Sequence, residues 1–148
     1  MPSTHLSLYY HFVFSTKSRR PYINEALEKR LHSYLGGIII GSGGIAVAIG
    51  GANDHVHIEA RLKATHCLAS FLQEIKAKSS GWIHRDIGIR MFGWQEGYGA
   101  FTVGSSEVEA IKQYILGQKE HHRKKSFQEE YLELLKQSGI EFDDRYLW

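Results

Sequence analysis

Two histidines separated by one residue are the first candidates for chemistry in this chain. His55 and His57 lie in the segment 52–61, Ala-Asn-Asp-His-Val-His-Ile-Glu-Ala-Arg, where β-branched residues alternate with polar ones. This alternation predicts a strand, and residues two apart on a strand project from the same face. Two imidazoles held side by side in this way can bind one divalent metal ion. The pair alone is a weak signal, because nine histidines in 148 residues give roughly 0.5 such pairs by chance.

A helix further along the chain strengthens this interpretation. Ser106 and Glu109 have the spacing of a capping box and predict a helix over about 107–122. On that helix Tyr114 and Gln118 are one turn apart, along one edge of its apolar stripe. A tyrosine at such an edge often only packs against its neighbours. Beside a metal site, however, the same helix offers a hydroxyl nucleophile and a neutral oxygen ligand.

These four residues together suit phosphoryl transfer. Tyrosine is a poor nucleophile at neutral pH, because its pKa is about 10, and it needs an electrophile that a metal has polarised. His55, His57 and Gln118 would leave open coordination positions for a phosphate oxygen, while the oxygen of Tyr114 attacks in line. Imidazole and oxygen ligands together favour Mn²⁺ or Mg²⁺, whereas zinc more often recruits a third histidine or a cysteine.

The remaining segments predict the elements that position these groups. Strands are predicted at 6–15, 45–49, 55–62 and within 92–103, and helices begin near 25, 65, 107 and 126. The order β-α-β-β-α-β-α-α predicts an α+β sandwich, with an antiparallel-rich sheet and helices packed on one face. The length favours one domain over 1–148. No apolar run approaches the roughly 18 residues of a membrane span, and the single cysteine favours the cytoplasm.

The charge of the chain is small but unevenly distributed. The formal net charge is +2, with basic residues clustered near aromatic ones. Such clusters can bind single-stranded DNA through phosphate contacts and base stacking, although solvated surface residues look the same in a sequence. The candidate DNA-binding residues are Arg19, Arg20, Lys76, Lys78, His121 and His122.

The motifs resemble those of one known group of enzymes. His55-Val-His57 resembles the HUH motif, and Tyr114 followed by Gln118 resembles the nucleophile and third metal ligand of single-tyrosine HUH transposases. The order of aromatic residues and histidines over 94–148 is similar to that of small insertion-sequence transposases and of repeat-associated tyrosine transposases. The resemblance extends over nearly the whole chain.

The resemblance carries several expectations with it. It implies a ferredoxin-like or RNA-recognition-like fold and a homodimer. It implies cleavage and rejoining of single-stranded DNA through a 5′-phosphotyrosine intermediate, with DNA hairpins recognised at the ends of a mobile element. It also suggests active sites shared between subunits, in which Tyr114 of one subunit serves the histidines of the other.

Other functions are compatible with the sequence. A non-catalytic module on the same fold would stack nucleic-acid bases on sheet aromatics. A two-histidine phosphoesterase normally has two separate histidine motifs, and this chain has one His-x-His pair. Tyr98 is a rival nucleophile, but its neighbours Gly97 and Gly99 favour a turn or a strand. Metal-dependent nicking of single-stranded DNA would separate the enzyme from the module.

Overall fold

The protein folds around one four-stranded antiparallel sheet. The computed structural model describes residues 3–148. Its strands β1 (Tyr9–Ser15), β2 (Ile45–Gly51), β3 (His55–Arg61) and β4 (Gly99–Val103) alternate with helices α1 (Glu25–Gly41) and α2 (Leu68–Trp82). The strand order in the sheet is β2-β3-β1-β4. This β-α-β-β-α-β connectivity is ferredoxin-like, and the predicted α+β class is confirmed.

Three further helices follow the last strand. They are α3 (Val108–Leu116), α4 (Gln118–His121) and α5 (Phe127–Gln137). Helices α1 and α2 cover one face of the sheet, as predicted, while α3 and α5 pack over the other face. Within the part of the chain that the structure describes, no helix is both long and apolar enough to cross a bilayer.

The face under α1 and α2 is the main hydrophobic core. Phe12 and Phe14 of β1 and Val56 and Ile58 of β3 are fully buried there. The helices meet them with residues spaced to lie on one helical face: Leu27, Leu31, Leu35, Ile39, Phe71, Leu72 and Ile75. Each such side chain contributes about 1.5–3 kcal/mol on burial, so this face anchors β1 and β3 firmly.

The opposite face combines a small apolar cluster with polar residues. Val13 packs there against Phe127, Tyr131 and Leu135 of α5, which fixes α5 above the sheet. Helix α3 lies across β2 and β3, and Gly50 permits its close approach. A Cβ at this glycine would lie 2.1 Å from the carbonyl oxygen of Ile115, so a larger residue would displace the helix.

The predicted helix over 107–122 needs two corrections. The chain enters it through a 3₁₀ turn at Ser105–Glu107, and the backbone N–H of Gly104 donates to Glu107 Oε1 at 3.0 Å. The predicted box of Ser106 and Glu109 therefore does not form. The helix is also interrupted at Gly117, after which the chain continues as the separate helix α4.

Two other helix starts were tested by the structure. The predicted cap at Ser126 is confirmed, because its hydroxyl accepts from the backbone N–H of Glu129 at 3.2 Å. The predicted start of the second helix at Thr65 is wrong. Residues 64–65 form a turn, and α2 begins at Leu68 with Cys67 in the capping position.

Candidate functional site

A group of metal-ligand side chains lies on the face of β3 opposite the main core. His55 and His57 are fully buried and point away from the core, as their alternation predicts. His122, just after α4, and Glu130, on α5, meet them there. One ligand atom from each of the four residues lies within 4.8 Å of the others. The predicted pair of histidines is therefore part of a larger cluster.

The donor atoms of this cluster are closely spaced. The Nε2 atoms of His57 and His122 lie 3.0 and 3.1 Å from Glu130 Oε1. The Oε1 atom of Gln118 lies 3.1 Å from His55 Nε2 and 2.9 Å from His122 Nε2. The structure thus brings Gln118 to His55, one of the two predicted histidine ligands, and it adds a third imidazole and a carboxylate.

The Nδ1 atom of each motif histidine also has a side-chain partner. Asp54 Oδ1 lies 2.8 Å from His55 Nδ1, and His11 Nε2 lies 2.7 Å from His57 Nδ1. These contacts direct both Nε2 atoms toward the shared centre, and outer partners of this kind fix the tautomer and orientation of metal-ligating histidines. His11 belongs to β1, directly across the sheet from Glu59, so the sheet itself supplies this support.

Tyr114 lies at the edge of the same cluster. Its hydroxyl donates to Glu130 Oε2, and the side-chain amide of Gln118 donates to that oxygen at 2.9 Å. The Tyr114 ring is 5.7 Å from the His57 ring and nearly perpendicular to it. Burial, together with the contact to Glu130, raises the pKa of Tyr114 well above its ordinary value. The phenol is therefore neutral at physiological pH.

The ionisable groups have strongly shifted equilibria. Burial lowers the pKa of His57 to about 4 and that of His11 to about 3, so both imidazoles are neutral. Burial alone would raise the pKa of Glu130, but hydrogen bonds from His122, His57 and Tyr114 hold it well below its usual range. The cluster therefore places one buried carboxylate among imidazoles, a set of donor groups that a bound cation could share.

The donor set could hold a divalent ion. It combines three imidazoles with an amide oxygen and a carboxylate oxygen. His122 removes the sequence argument against zinc, because it adds the third histidine that zinc sites often recruit. The cluster therefore supports a divalent metal site.

The predicted DNA-binding lysines have different environments. Lys76 Nζ donates to the backbone carbonyls of Gln95 and Glu96, at 2.9 and 3.3 Å, and burial lowers its pKa to about 8. It ties a loop to α2. Lys78 is exposed and pairs with Glu74 at 2.7 Å.

The other predicted contacts divide between the site and the surface. His122 is in the cluster, and His121 Nε2 lies 3.3 Å from Glu130 Oε2 at its edge. Arg20 is exposed, while the guanidinium of Arg19 lies 5.5 Å from the ring centre of Trp148. The rival nucleophile Tyr98 packs near the ammonium group of Lys76 instead.

Sequence reasoning did not identify Glu130 or His11 as site residues. Glu130 had a recognisable sequence signal, because it follows Phe127 by three residues and so lies on the inward stripe of α5. In the structure its side chain is only 2 % exposed. A charged residue on a buried stripe requires a partner. His11 had none, since its contact with His57 depends on the pairing of β1 with β3.

A ferredoxin-like sheet with a metal-competent histidine cluster beside a half-buried tyrosine is an arrangement suited to a DNA transposase. The model of the family described as "Transposase IS200 like" matches residues 4–118. The chain belongs to this family. The resemblance drawn from its motifs is thereby confirmed, and membership places the protein among DNA transposases.

Two solved structures share the fold. One is described as a candidate transposase of Deinococcus radiodurans R1, with 21% identity, a TM-score of 0.64, and coverage of 78% of this chain and 94% of that one. The other is a REP-associated tyrosine transposase bound to a REP hairpin, with 15% identity, a TM-score of 0.56, and coverage of 78% and 70%. The comparison with curated proteins gives no match.

Proposed function

We propose that this protein is a metal-dependent transposase that cleaves and rejoins single-stranded DNA through a 5′-phosphotyrosine intermediate. The observation that carries the proposal is the position of the Tyr114 hydroxyl at the edge of the cluster of His55, His57 and Gln118. We take residues 1–148 to form one catalytic HUH domain. The reaction takes place in the cytoplasm, where the DNA is.

Tyr114 is the nucleophile in this proposal. Its oxygen forms a bond to the phosphorus of one phosphodiester, and the bond from that phosphorus to O3′ breaks. The proton of the tyrosine hydroxyl is transferred overall to the departing O3′. The products are a 5′-phosphotyrosine ester and a free 3′-hydroxyl, and a second 3′-hydroxyl reverses the same steps to join a new strand.

The chain's own residues prepare this step. His55 and His57, with their outer nitrogens held, present two fixed imidazoles, and Gln118 adds an amide oxygen. These three residues, with His122, would hold Mn²⁺ or Mg²⁺. When bound, the ion withdraws electron density from the phosphate and offsets negative charge in the transition state. The neutral phenol of Tyr114 needs this assistance, because its own pKa is raised.

The substrate in this proposal is single-stranded DNA, with hairpins at the ends of an element. The hairpin-bound REP-associated transposase, which shares the fold, supports this assignment. Arg19, Arg20 and Lys78 would contact phosphates outside the cluster. Lys76 would act by holding its loop in place, because its ammonium group already donates to backbone carbonyls. Such contacts position DNA without reading its sequence.

The contacts between Tyr114 and the cluster can all be made within one chain. Tyr114 contacts Glu130 of its own chain, and Glu130 joins the histidines of that same chain. This geometry favours a site within one chain, and a homodimer would then carry two independent sites. Co-expression of Tyr114→Phe chains with His55→Ala/His57→Ala chains tests the point. Heterodimers should remain inactive, whereas restored cleavage would show that the sites are shared.

A nicking assay tests the proposed function. Single-stranded oligonucleotides copied from the DNA that flanks the gene should be cut in the presence of Mn²⁺, and EDTA should stop the reaction. His55→Ala/His57→Ala should bind the oligonucleotide without cutting it. DNA binding with no metal-dependent cutting by the wild-type protein would instead indicate the non-catalytic binding module.

A further inference from the structure

Glu130 makes more contacts within the cluster than its position outside the motifs would suggest. Its Oε1 atom lies 3.0 Å from His57 Nε2, 3.1 Å from His122 Nε2 and 3.6 Å from His55 Nε2. Its other oxygen, Oε2, accepts from the hydroxyl of Tyr114 and from the side-chain amide of Gln118. One carboxylate therefore joins the three imidazoles to the tyrosine.

The fold holds this carboxylate in place. The Ser126 hydroxyl caps helix α5, and Phe127 and Tyr131 pack the helix against Val13 of the sheet. Phe127 also stacks on the ring of His55, with ring centres 4.2 Å apart. Glu130 lies between these two aromatics. It is also beyond residue 118, where the match to the family model ends.

The groups that contact Glu130 are those of the cluster itself. Several donors compensate the desolvation of its carboxylate, and they include Tyr114, Gln118 and His122. Its Oε1 atom lies among the same Nε2 atoms that would hold an ion. A carboxylate oxygen is also a ligand that hard divalent ions prefer.

We propose that Glu130 is an additional metal ligand through Oε1 and that its Oε2 positions the Tyr114 hydroxyl beside the metal. This inference rests on the proposed function and deepens it. The carboxylate supplies a negative charge that His55, His57 and Gln118 lack, which increases affinity for a hard divalent ion. By binding the tyrosine at the same time, it sets the distance between nucleophile and metal.

Isothermal titration with Mn²⁺ tests the ligand role. Glu130→Ala should weaken Mn²⁺ binding by at least about tenfold, as losing even an outer partner of a metal site does. Glu130→Gln, which keeps an oxygen but loses the charge, should fall between Glu130→Ala and the wild type. Glu133→Gln is the matched control, because Glu133 lies one turn further along α5 and pairs with Lys125 at the surface. It should bind Mn²⁺ like the wild type.

Cleavage at saturating Mn²⁺ tests the positioning role. Glu130→Ala should remain slower than the wild type even when its metal site is filled, because Tyr114 is no longer held. The inference is overturned if Glu130→Ala binds Mn²⁺ with unchanged or tighter affinity, or cleaves as fast or faster. The first result would exclude Glu130 as a metal ligand, and the second would exclude its role in positioning Tyr114.

These outcomes are separate from the fate of the proposed function. If the wild-type protein binds Mn²⁺ and cuts DNA while the Glu130 variants match it, only the role of Glu130 fails. If the wild-type protein neither binds Mn²⁺ nor cuts DNA, the proposed function fails first. Circular dichroism and urea unfolding of each variant confirm that α5 remains folded, and Glu130→Gln preserves the side-chain shape should Glu130→Ala unfold.

Discussion

The two faces of strand β3 differ completely although their residues alternate along one backbone. Val56, Ile58 and Ala60 face the main core and are fully buried among apolar side chains. His55, His57 and Glu59 face the other way and are buried just as fully. The comparison shows how the fold supports chemistry: the apolar face fixes the strand, and the fixed strand holds two imidazoles in one geometry.

Substitution on the core face should give the largest change in stability. Ile58→Ala should lower the free energy of unfolding by about 2–5 kcal/mol, because it removes buried methyl groups and leaves a cavity. Urea unfolding measures this change. Folded Ile58→Ala should still bind Mn²⁺ with nearly wild-type affinity. A large loss of Mn²⁺ binding in the folded variant would mean that the two faces are not separable.

Substitution on the site face should remove the stabilisation that metal confers. Mn²⁺ at a hundred times its dissociation constant should stabilise the wild-type protein by about 2.7 kcal/mol, since it binds only the folded state. His57→Ala should lose most of this gain, while Ile58→Ala keeps it. Thermal unfolding with and without Mn²⁺ gives both values. An equal metal-induced shift in both variants would place the ion elsewhere.

The outer partner of His57 should have a smaller effect than His57 itself. His11→Ala removes the contact to His57 Nδ1 and should weaken Mn²⁺ binding about 10–100-fold. His11→Asn, which keeps a side-chain acceptor near the same position, should recover part of the affinity. If His11→Ala binds Mn²⁺ as tightly as the wild type, the contact has no role in orienting the ligand.

Much of this division could be predicted from the sequence. The alternation over 52–61 placed His55 and His57 together, and the spacing of apolar residues in α1 identified the core helices. The spacing of Tyr114 and Gln118 also placed both residues near the histidines, and the structure has them there even though Gly117 interrupts their helix. Local periodicity carries this information because strands and helices repeat every 2 and 3.6 residues.

Contacts between distant elements could not be predicted in the same way. The meeting of His11 with His57 depends on the register of two strands, and that of Glu130 with Tyr114 depends on how α5 packs over the sheet. Periodicity places Glu130 on the inward stripe of α5, but it does not indicate which residues of other elements either side chain meets. The helix start near 107 was predicted correctly, but its capping pair was not, because two overlapping Ser/Gly–Glu spacings compete and the structure uses Gly104 with Glu107.

Glu59 should produce the smallest of these effects, and one that depends on pH. Both of its carboxylate oxygens are buried without a hydrogen-bond partner, and burial, with the nearby Glu109, raises its pKa to about 7, against the opposing charge of Lys112. A raised folded-state pKa means that stability falls as pH rises from about 4.5 to about 7.

The corresponding variant is Glu59→Gln, which cannot ionise. It should be more stable than the wild type by about 1 kcal/mol at pH 8, near the low end for a buried unsatisfied group, because Lys112 compensates in part. The advantage should shrink toward pH 5. Urea unfolding at the two pH values measures it, and a gain that is the same at both would show that Glu59 does not ionise in the folded protein.

During cleavage Tyr114 should become covalently attached to DNA. Intact-mass spectrometry of the protein, after incubation with Mn²⁺ and a single-stranded oligonucleotide from the flanking DNA, tests it directly. The wild-type protein should gain the mass of the 5′-phosphorylated strand, with the attachment mapped to Tyr114 by peptide analysis, and Tyr114→Phe should gain none while still binding the oligonucleotide. An adduct on Tyr114→Phe, or one mapped to Tyr98, would mean that Tyr114 is not the nucleophile.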